Sequence, residues 1–295
     1  MKRVLKWLGW GLCGLLGLVL ATAAAAWLHS ERALNQTYAI DDPPLTRSTD
    51  PAVLARGEHL YQTRGCGACH GGEGEGSVVM DAGPVLRAVA PNLTPARLDP
   101  AYDVDALAAA VRHGVRADQR GLIFMPAATW SELGDEDMAA LASYILALPP
   151  HANDPRQTEV RPLGRLLNMV GAFPLLSAAT LDHQPRQRET PAPSPTPAYG
   201  AYLAAFCADC HGSDMRGGKQ FGPDMPVAAN LTMHPDGLGN WSEADFNRAL
   251  RQGQRPDGSQ LHPIMPWRAT ARMSDLELEA LWRYLGSLPP LADAK

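Results

Sequence analysis

Cys66-Gly67-Ala68-Cys69-His70 and, in the second half of the chain, Cys207-Ala208-Asp209-Cys210-His211 are the two stretches that decide how this chain folds. Each places two thiols three positions apart, with an imidazole directly after. On a helix, residues three apart share a face. The two sulfurs can therefore each bond one of the two vinyl groups on a single porphyrin edge, and the next residue carries its imidazole toward the iron. Cys-x-x-Cys-His reads as an attachment site for covalent haem. Two other readings exist. A zinc site needs further Cys or His ligands, which the two motifs could in principle lend each other. A redox dithiol needs a βαβ setting, and that pattern is lacking.

The pentapeptides are part of a longer repeat. Asn92-Leu93-Thr94 returns as Asn230-Leu231-Thr232, Met125-Pro126 as Met265-Pro266, and Leu148-Pro149-Pro150 as Leu288-Pro289-Pro290. Four landmarks in one order at nearly constant spacing point to duplication of one domain.

Each copy reads as helical. Asp50-Pro51 predicts an N-cap followed by proline at the first helical position, and Val53, Leu54, Leu60 and Tyr61 give an apolar face. Before the second motif, Tyr199, Tyr202, Leu203 and Phe206 do the same over Ala198 to Phe206. Middle helices are predicted over Val104 to His113 and from Ser242 to about Arg251. Last helices are predicted over Asp135 to Leu148 and, behind the capping box Ser274-Asp275-Leu276-Glu277, to Leu288; double prolines stop both. No long alternating strand pattern appears, so the expected class is all-α. Residues 50–150 and 198–291 form the two domains. Between them, residues 151–197 form a connecting strap. Its end is rich in proline and extended. Its apolar middle, Leu163 to Ala179, is expected to pack across the domains, with a short helix as one option.

A low-spin, electron-carrying haem iron needs a second axial ligand, and His/Met ligation raises the reduction potential. The repeat selects the sulfur. Met125 follows His70 at almost the same interval as Met265 follows His211, and both precede proline ahead of the last helix. The expected iron ligands are therefore His70 with Met125 and His211 with Met265. Met80, Met138, Met215, Met225, Met233 and Met273 lack such equivalence and read as packing or surface residues. His262, just before Met265, is a competitor for that iron; His113 has no histidine at its repeat equivalent. Gly71, Gly72, Gly212, Gly217 and Gly218 let the backbone turn close to a ring. Carbonyls at or near Pro84 and Pro223 are expected to orient the histidines. Trp130, Trp241, Trp267 and Tyr102 are expected to line the haem or reach its propionates.

The N-terminus supplies a compartment. Lys2, Arg3 and Lys6 precede Trp7 to Leu28, a stretch without a charged residue. As a helix this stretch runs about 33 Å, enough to cross a bilayer. The positive flank sends the rest of the chain outward, and Trp7, Trp10 and Trp27 lie where interfacial aromatics belong. Residues 1–30 therefore read as a membrane anchor or as a cleaved signal, with Ala21 to Ala26 offering small-residue cleavage sites. Cys13, inside this run, fits a membrane helix as a small apolar residue.

Bulk composition agrees. A length of 295 residues suits about two domains. Aromatics make up only 6%, which leaves core volume for a large apolar cofactor. The net charge of −5 comes without a basic stripe and speaks against a nucleic-acid partner.

On these residues the sequence resembles the class I cytochrome c family and, more closely, its membrane-anchored dihaem members. Pro91-Asn92-Leu93-Thr94-Pro95, Ala229-Asn230-Leu231-Thr232-Met233, Gly237-Leu238-Gly239-Asn240-Trp241-Ser242, the Met-Pro pairs and the Leu-Pro-Pro ends are similar to patterns in cytochrome subunits of quinoprotein alcohol and aldehyde dehydrogenases. Those subunits typically carry three haem motifs, where this chain has two. The resemblance implies two haem c groups, held by Cys66, Cys69, His70 and Met125 and by Cys207, Cys210, His211 and Met265, each wrapped in a compact helical domain. It implies an electron carrier rather than a catalyst, working in a respiratory or dehydrogenase-linked chain. The haem domains would lie on the periplasmic side of a bacterial inner membrane, with a dehydrogenase, a quinol-oxidising complex or a terminal oxidase as redox partner. The alternative is a dihaem enzyme such as a cytochrome c peroxidase or thiosulfate dehydrogenase, which needs one iron with an open or displaceable position.

Overall fold

A computed structural model describes residues 2–220, 222 and 225–294. The chain opens with α1 (Lys2–Leu34), whose apolar side chains from Val4 to Leu28 are largely exposed. By length and composition it can cross a membrane.

The first repeat begins with α2 (Pro51–Thr63). The Asp50 carboxylate accepts from the Ala52 and Val53 amides, as the N-cap reading requires. Arg64 and Gly65 interrupt the helix, Gly65 with φ of +79°, and a one-turn α3 (Cys66–His70) carries the first motif. Next come α4 (Val104–Ala108), continued by a π-helical turn Ala109–His113, and α5 (Asp135–Ile145). The strap between the repeats holds a short helix, α6 (Pro162–Met169). In the second repeat, α7 (Pro197–His211) runs unbroken through the motif. It is followed by α8 (Glu243–Gln252), the short α9 (Trp267–Thr270) and α10 (Asp275–Ser287). Reciprocal capping boxes close at Ser242/Asp245 and Ser274/Glu277.

Two buried cores match the two repeats. Leu60, Tyr61, Leu107, Met138, Leu141 and Ile145 form the first; Leu203, Phe246, Leu250, Leu278, Leu281 and Leu285 form the second. In each, the first and last helices cross at a glycine. A methyl group on Gly57 would lie 2.1 Å from the Ala140 carbonyl oxygen, and one on Gly200 would lie 2.0 Å from that of Ala280. Only a hydrogen fits at these crossings.

The fold is mostly helical, and the all-α expectation needs one correction. A small antiparallel sheet, β1 (Ser77–Asp81), β2 (Leu86–Ala90) and β3 (Glu159–Val160), lies in the order β1-β2-β3. Leu86, Ala88 and Ala90 point inward from β2. An alternation of three positions, two of them alanine, is too short to stand out from the sequence, and its partner β3 comes only in the strap, far along the chain.

The strap is tied down along its length. Its helix α6 packs along α1, and the Leu163 amide donates to the Pro84 carbonyl of the first repeat at 3.2 Å. Leu176 bridges to Ile123, the Ser177 hydroxyl donates to the Met125 carbonyl at 2.7 Å, and Arg188 reaches Asp42 at 2.7 Å.

Candidate functional site: two matched Cys-x-x-Cys-His centres

In each motif the histidine ring is held by one backbone carbonyl. His70 Nδ1 lies 2.9 Å from the Pro91 oxygen, and His211 Nδ1 lies 2.7 Å from the Ala229 oxygen. A carbonyl only accepts, so Nδ1 carries the hydrogen and Nε2 keeps its lone pair free for a metal. Burial pushes both imidazoles below their ordinary pKa, against the smaller opposing pull of these hydrogen bonds. The rings are thus kept neutral, the ligating form.

The orienting carbonyls belong to Pro91 and Ala229, not to the neighbourhood of Pro84 and Pro223. The Pro84 carbonyl is taken up by the strap; Pro223 lies outside the described residues. Pro91 and Ala229 stand immediately before the repeated Asn-Leu-Thr, which explains that landmark. Asn92 accepts from the Thr94 amide and donates to the carbonyls of His151 and Asn153, all at 2.8 Å. Asn230 accepts from the Thr232 amide at 2.8 Å and donates to Leu291 at 2.7 Å. His151 and Leu291 each directly follow a Leu-Pro-Pro. Each asparagine therefore fastens the histidine-orienting loop to the end of its repeat's last helix.

The four cysteines are half-buried free thiols. Burial pushes Cys66 up to about 12 and Cys207 up to about 11, and raises Cys69 and Cys210 as well. A dithiol redox centre depends on a depressed thiol pKa, the reverse of this. Among the described residues the two motifs are not brought together with each other or with further Cys, His, Asp or Glu into a group of three or more. What remains in each motif is a pair of shielded thiols beside a neutral imidazole with one free nitrogen. That donor set fits a porphyrin bonded through thioethers. The helix carrying it ends each time at a glycine, Gly71 with φ of +82° and Gly212 with φ of +80°, where a side chain would be strained.

The two Met-Pro loops are built alike. Each follows a tight hairpin, closed by Leu122 N–H to Gly114 O in one repeat and by Leu261 N–H to Gly253 O in the other, both at 2.6 Å. Each precedes a helical turn, Ala127–Trp130 or α9. Met265 packs against the second core with Cys207 and Trp241. Met125 is half-buried on a loop that Ser177 holds. Met138, Met215 and Met273 are fully buried core residues, whereas Met80 and Met225 are exposed.

The remaining candidates fall elsewhere. His113 has both ring nitrogens engaged, Nδ1 with His183 at 3.0 Å and Nε2 with Asp42 at 2.9 Å. His262 is exposed, and its Nδ1 accepts from the Ile264 amide. Trp130 stacks on Phe206 across the seam between the repeats, with ring centres 5.3 Å apart. Trp267 packs against Gly253, and Trp241 and Tyr102 flank the two cores. His59, on α2, reaches Glu277 of the second repeat at 2.9 Å.

Comparison with known proteins agrees with this geometry. The cytochrome c family model matches residues 54–149 and 197–289, well over half of the chain. The cytochrome c subunit of gluconate 2-dehydrogenase from Pantoea cypripedii is 27% identical over 93% of this chain and 64% of its own length. The cytochrome subunit of fructose dehydrogenase from Gluconobacter japonicus is 35% identical over 38% of this chain and 25% of its own. A dihaem cytochrome c-type protein from Cereibacter sphaeroides is 31% identical over 30% of this chain and 34% of its own. The chain spans less than two thirds of the length of these relatives. Paired thiols, a carbonyl-bound histidine and the family match all recur in both halves, and on that ground the chain belongs to the cytochrome c family.

Proposed function

We propose that this chain is a membrane-anchored dihaem cytochrome c that carries electrons, one haem in each repeat. The observation that carries the reading is the duplicated site: the same histidine–carbonyl bond and the same Met-Pro loop stand in both halves. Haem c, when bound, supplies a one-electron couple. The protein's part is to hold it and to set its potential. Cys66 and Cys69 would form the thioethers of the first haem, and His70 and Met125 would hold its iron; Cys207, Cys210, His211 and Met265 would serve the second. Matching Met-Pro loops favour two closed irons, and hence a carrier over a peroxidase-like or thiosulfate-oxidising enzyme, which needs an open position.

Residues 50–150 and 198–291 are the two haem domains in this reading, 151–197 the strap, and 1–30 the anchor. The relatives, cytochrome subunits of gluconate and fructose dehydrogenases, favour a dehydrogenase as electron donor. The positive flank before α1 favours haem domains on the periplasmic face of a bacterial inner membrane. The test is the full chain expressed with the haem-attachment machinery. Its denatured mass should exceed the polypeptide by two haems. The oxidised spectrum should show the weak methionine–iron band at the red edge, with little high-spin signal. A mass without porphyrin, or a large high-spin fraction that binds cyanide, overturns the reading.

A further inference from the structure

We infer that α6 and the turn after it form a second membrane contact beside α1, seated at the lipid headgroup level on the face that carries both repeats. The inference rests on α1 being the anchor. From Trp7 to Trp27 a helix rises about 30 Å, the thickness of a bilayer's hydrocarbon core. Trp27 therefore marks the upper boundary.

Most of α1 is bare, yet one stripe at its upper end is covered. Thr22 is half-buried, and Ala26 and Ser30 are buried to 3% and 0% exposure. These residues are four apart and share a face, and α6 is the element that packs along α1. Arg165 fixes the level. Its guanidinium lies 3.7 Å from the centre of the Trp27 ring and donates to the Ser30 hydroxyl at 2.6 Å and to Glu31 at 2.8 Å. An arginine stacked on the boundary tryptophan and paired just above it pins α6 at the water–lipid interface.

What α6 and the turn after it present outward suits that place. Leu163 on the helix is 39% exposed and Val170 in the turn 64%. From Leu166 to Pro174, before Leu175 and Leu176 turn into the protein, the chain carries no charge. Short amphipathic helices with such faces lie in the headgroup layer. A protein partner at this height would itself have to enter the headgroups, so lipid is the occupant that continuity with α1 favours. Together, α1 and α6 would fix the tilt of the first repeat above the membrane.

The test places a nitroxide on the full, haem-loaded chain in nanodiscs of phosphatidylcholine and phosphatidylglycerol. A Cys13→Ser background removes the stray thiol, and each label is compared with itself in the absence of either reagent. Labels at Val170→Cys and Leu163→Cys should collide with oxygen in preference to a water-soluble nickel chelate, as should a label at Leu16→Cys within α1. One at Glu243→Cys, exposed on α8, should show the reverse. If Leu16→Cys reports lipid but both α6 labels behave like Glu243→Cys, the second contact is wrong and the anchor stands. If the α6 labels are shielded from both reagents, protein covers the patch and the lipid contact is again wrong. If Leu16→Cys reports water, the anchor reading itself fails.

Discussion

Tyr202 of the second repeat donates its phenolic hydrogen to Asp137 of the first at 2.7 Å. The contact has a counterpart. His59 of the first repeat meets Glu277 of the second at 2.9 Å, and Asp137 and Glu277 are separated by the same interval as Met125 and Met265. Each repeat thus sends a side chain from its first helix to an acid in the opening turn of the other's last helix. Arg64 lies buried at the same seam, donating to the Leu203 carbonyl at 3.1 Å, with its guanidinium 5.3 Å from the Tyr202 ring centre.

Tyr202→Phe tests how much this seam contributes. A hydrogen bond to a charged group is worth about 1.5–3 kcal/mol. Asp137 keeps its 2.5 Å partner Arg56, so the expected loss lies at the low end, about 1.5 kcal/mol in denaturant unfolding. The Gly134 amide, which donates to the Tyr202 oxygen at 3.2 Å, should exchange its hydrogen faster while amides deep in either core do not. Unchanged Gly134 exchange would show that the seam does not depend on this bond.

Acid should open the same seam from its other side. Burial resists ionisation of Glu277, but hydrogen bonds from His59 and from the Ser274 amide and hydroxyl outweigh it, and the carboxyl sits below its ordinary value. A depressed acid stabilises the fold above the unfolded pKa, about 4.3 for glutamate. That contribution is lost as pH falls from there through the folded pKa. Exchange at the start of α10 should therefore rise on acidification below about pH 4.3. Glu277→Gln should flatten that dependence and lower stability at neutral pH. An equally steep acid response in Glu277→Gln would assign it to other carboxylates.

Much of this architecture is legible in the chain. The Cys-x-x-Cys-His pairs and the caps at Asp50, Ser242 and Ser274 are local signals set by neighbours in sequence, and the matched Met-Pro loops are legible through the repeat. The seam is not legible, because Tyr202 and Asp137 lie in different repeats with no pattern binding them. The orienting carbonyls were within reach: Asn-Leu-Thr is repeated, and the residue before it holds the histidine each time. The glycine crossing is hidden by a slip in register. Gly57 stands further ahead of Cys66 than Gly200 does of Cys207, since Arg64-Gly65 interrupts the helix in the first repeat only.

Those crossings predict matched damage. An alanine at Gly57 or Gly200 places its methyl against a backbone carbonyl that cannot move without its helix. Forced overpacking costs typically about 1–3 kcal/mol, and with backbone on the far side the upper end, about 3 kcal/mol, is expected. Gly57→Ala should lower the unfolding midpoint of the first repeat and Gly200→Ala that of the second. A control substitution at Gly9, where nothing lies within 4 Å of the added carbon, should leave the midpoints unmoved within error. If either crossing variant unfolds like the parent, its helices are not in the contact described.

The proposed ligation of one iron by Met125 and of the other by Met265 yields the sharpest separation between the repeats. Methionine ligation raises a haem's potential relative to bis-histidine ligation, and axial ligands span roughly 0.8 V across haem proteins. Met125→His and Met265→His each keep a strong ligand on the same loop, so both variants should stay low-spin. Each should lower the potential of one haem by an appreciable part of that range and leave the other's essentially unmoved. The methionine–iron band should fall by about half in either variant and vanish in the double one. The two loops differ in what holds them: Ser177 grips the Met125 carbonyl at 2.7 Å from the strap. Ser177→Ala should therefore weaken the methionine band of the first haem alone. A Met125→His variant with both potentials unchanged and a full-strength band would remove Met125 from the iron and point to a sulfur or nitrogen elsewhere in the first repeat.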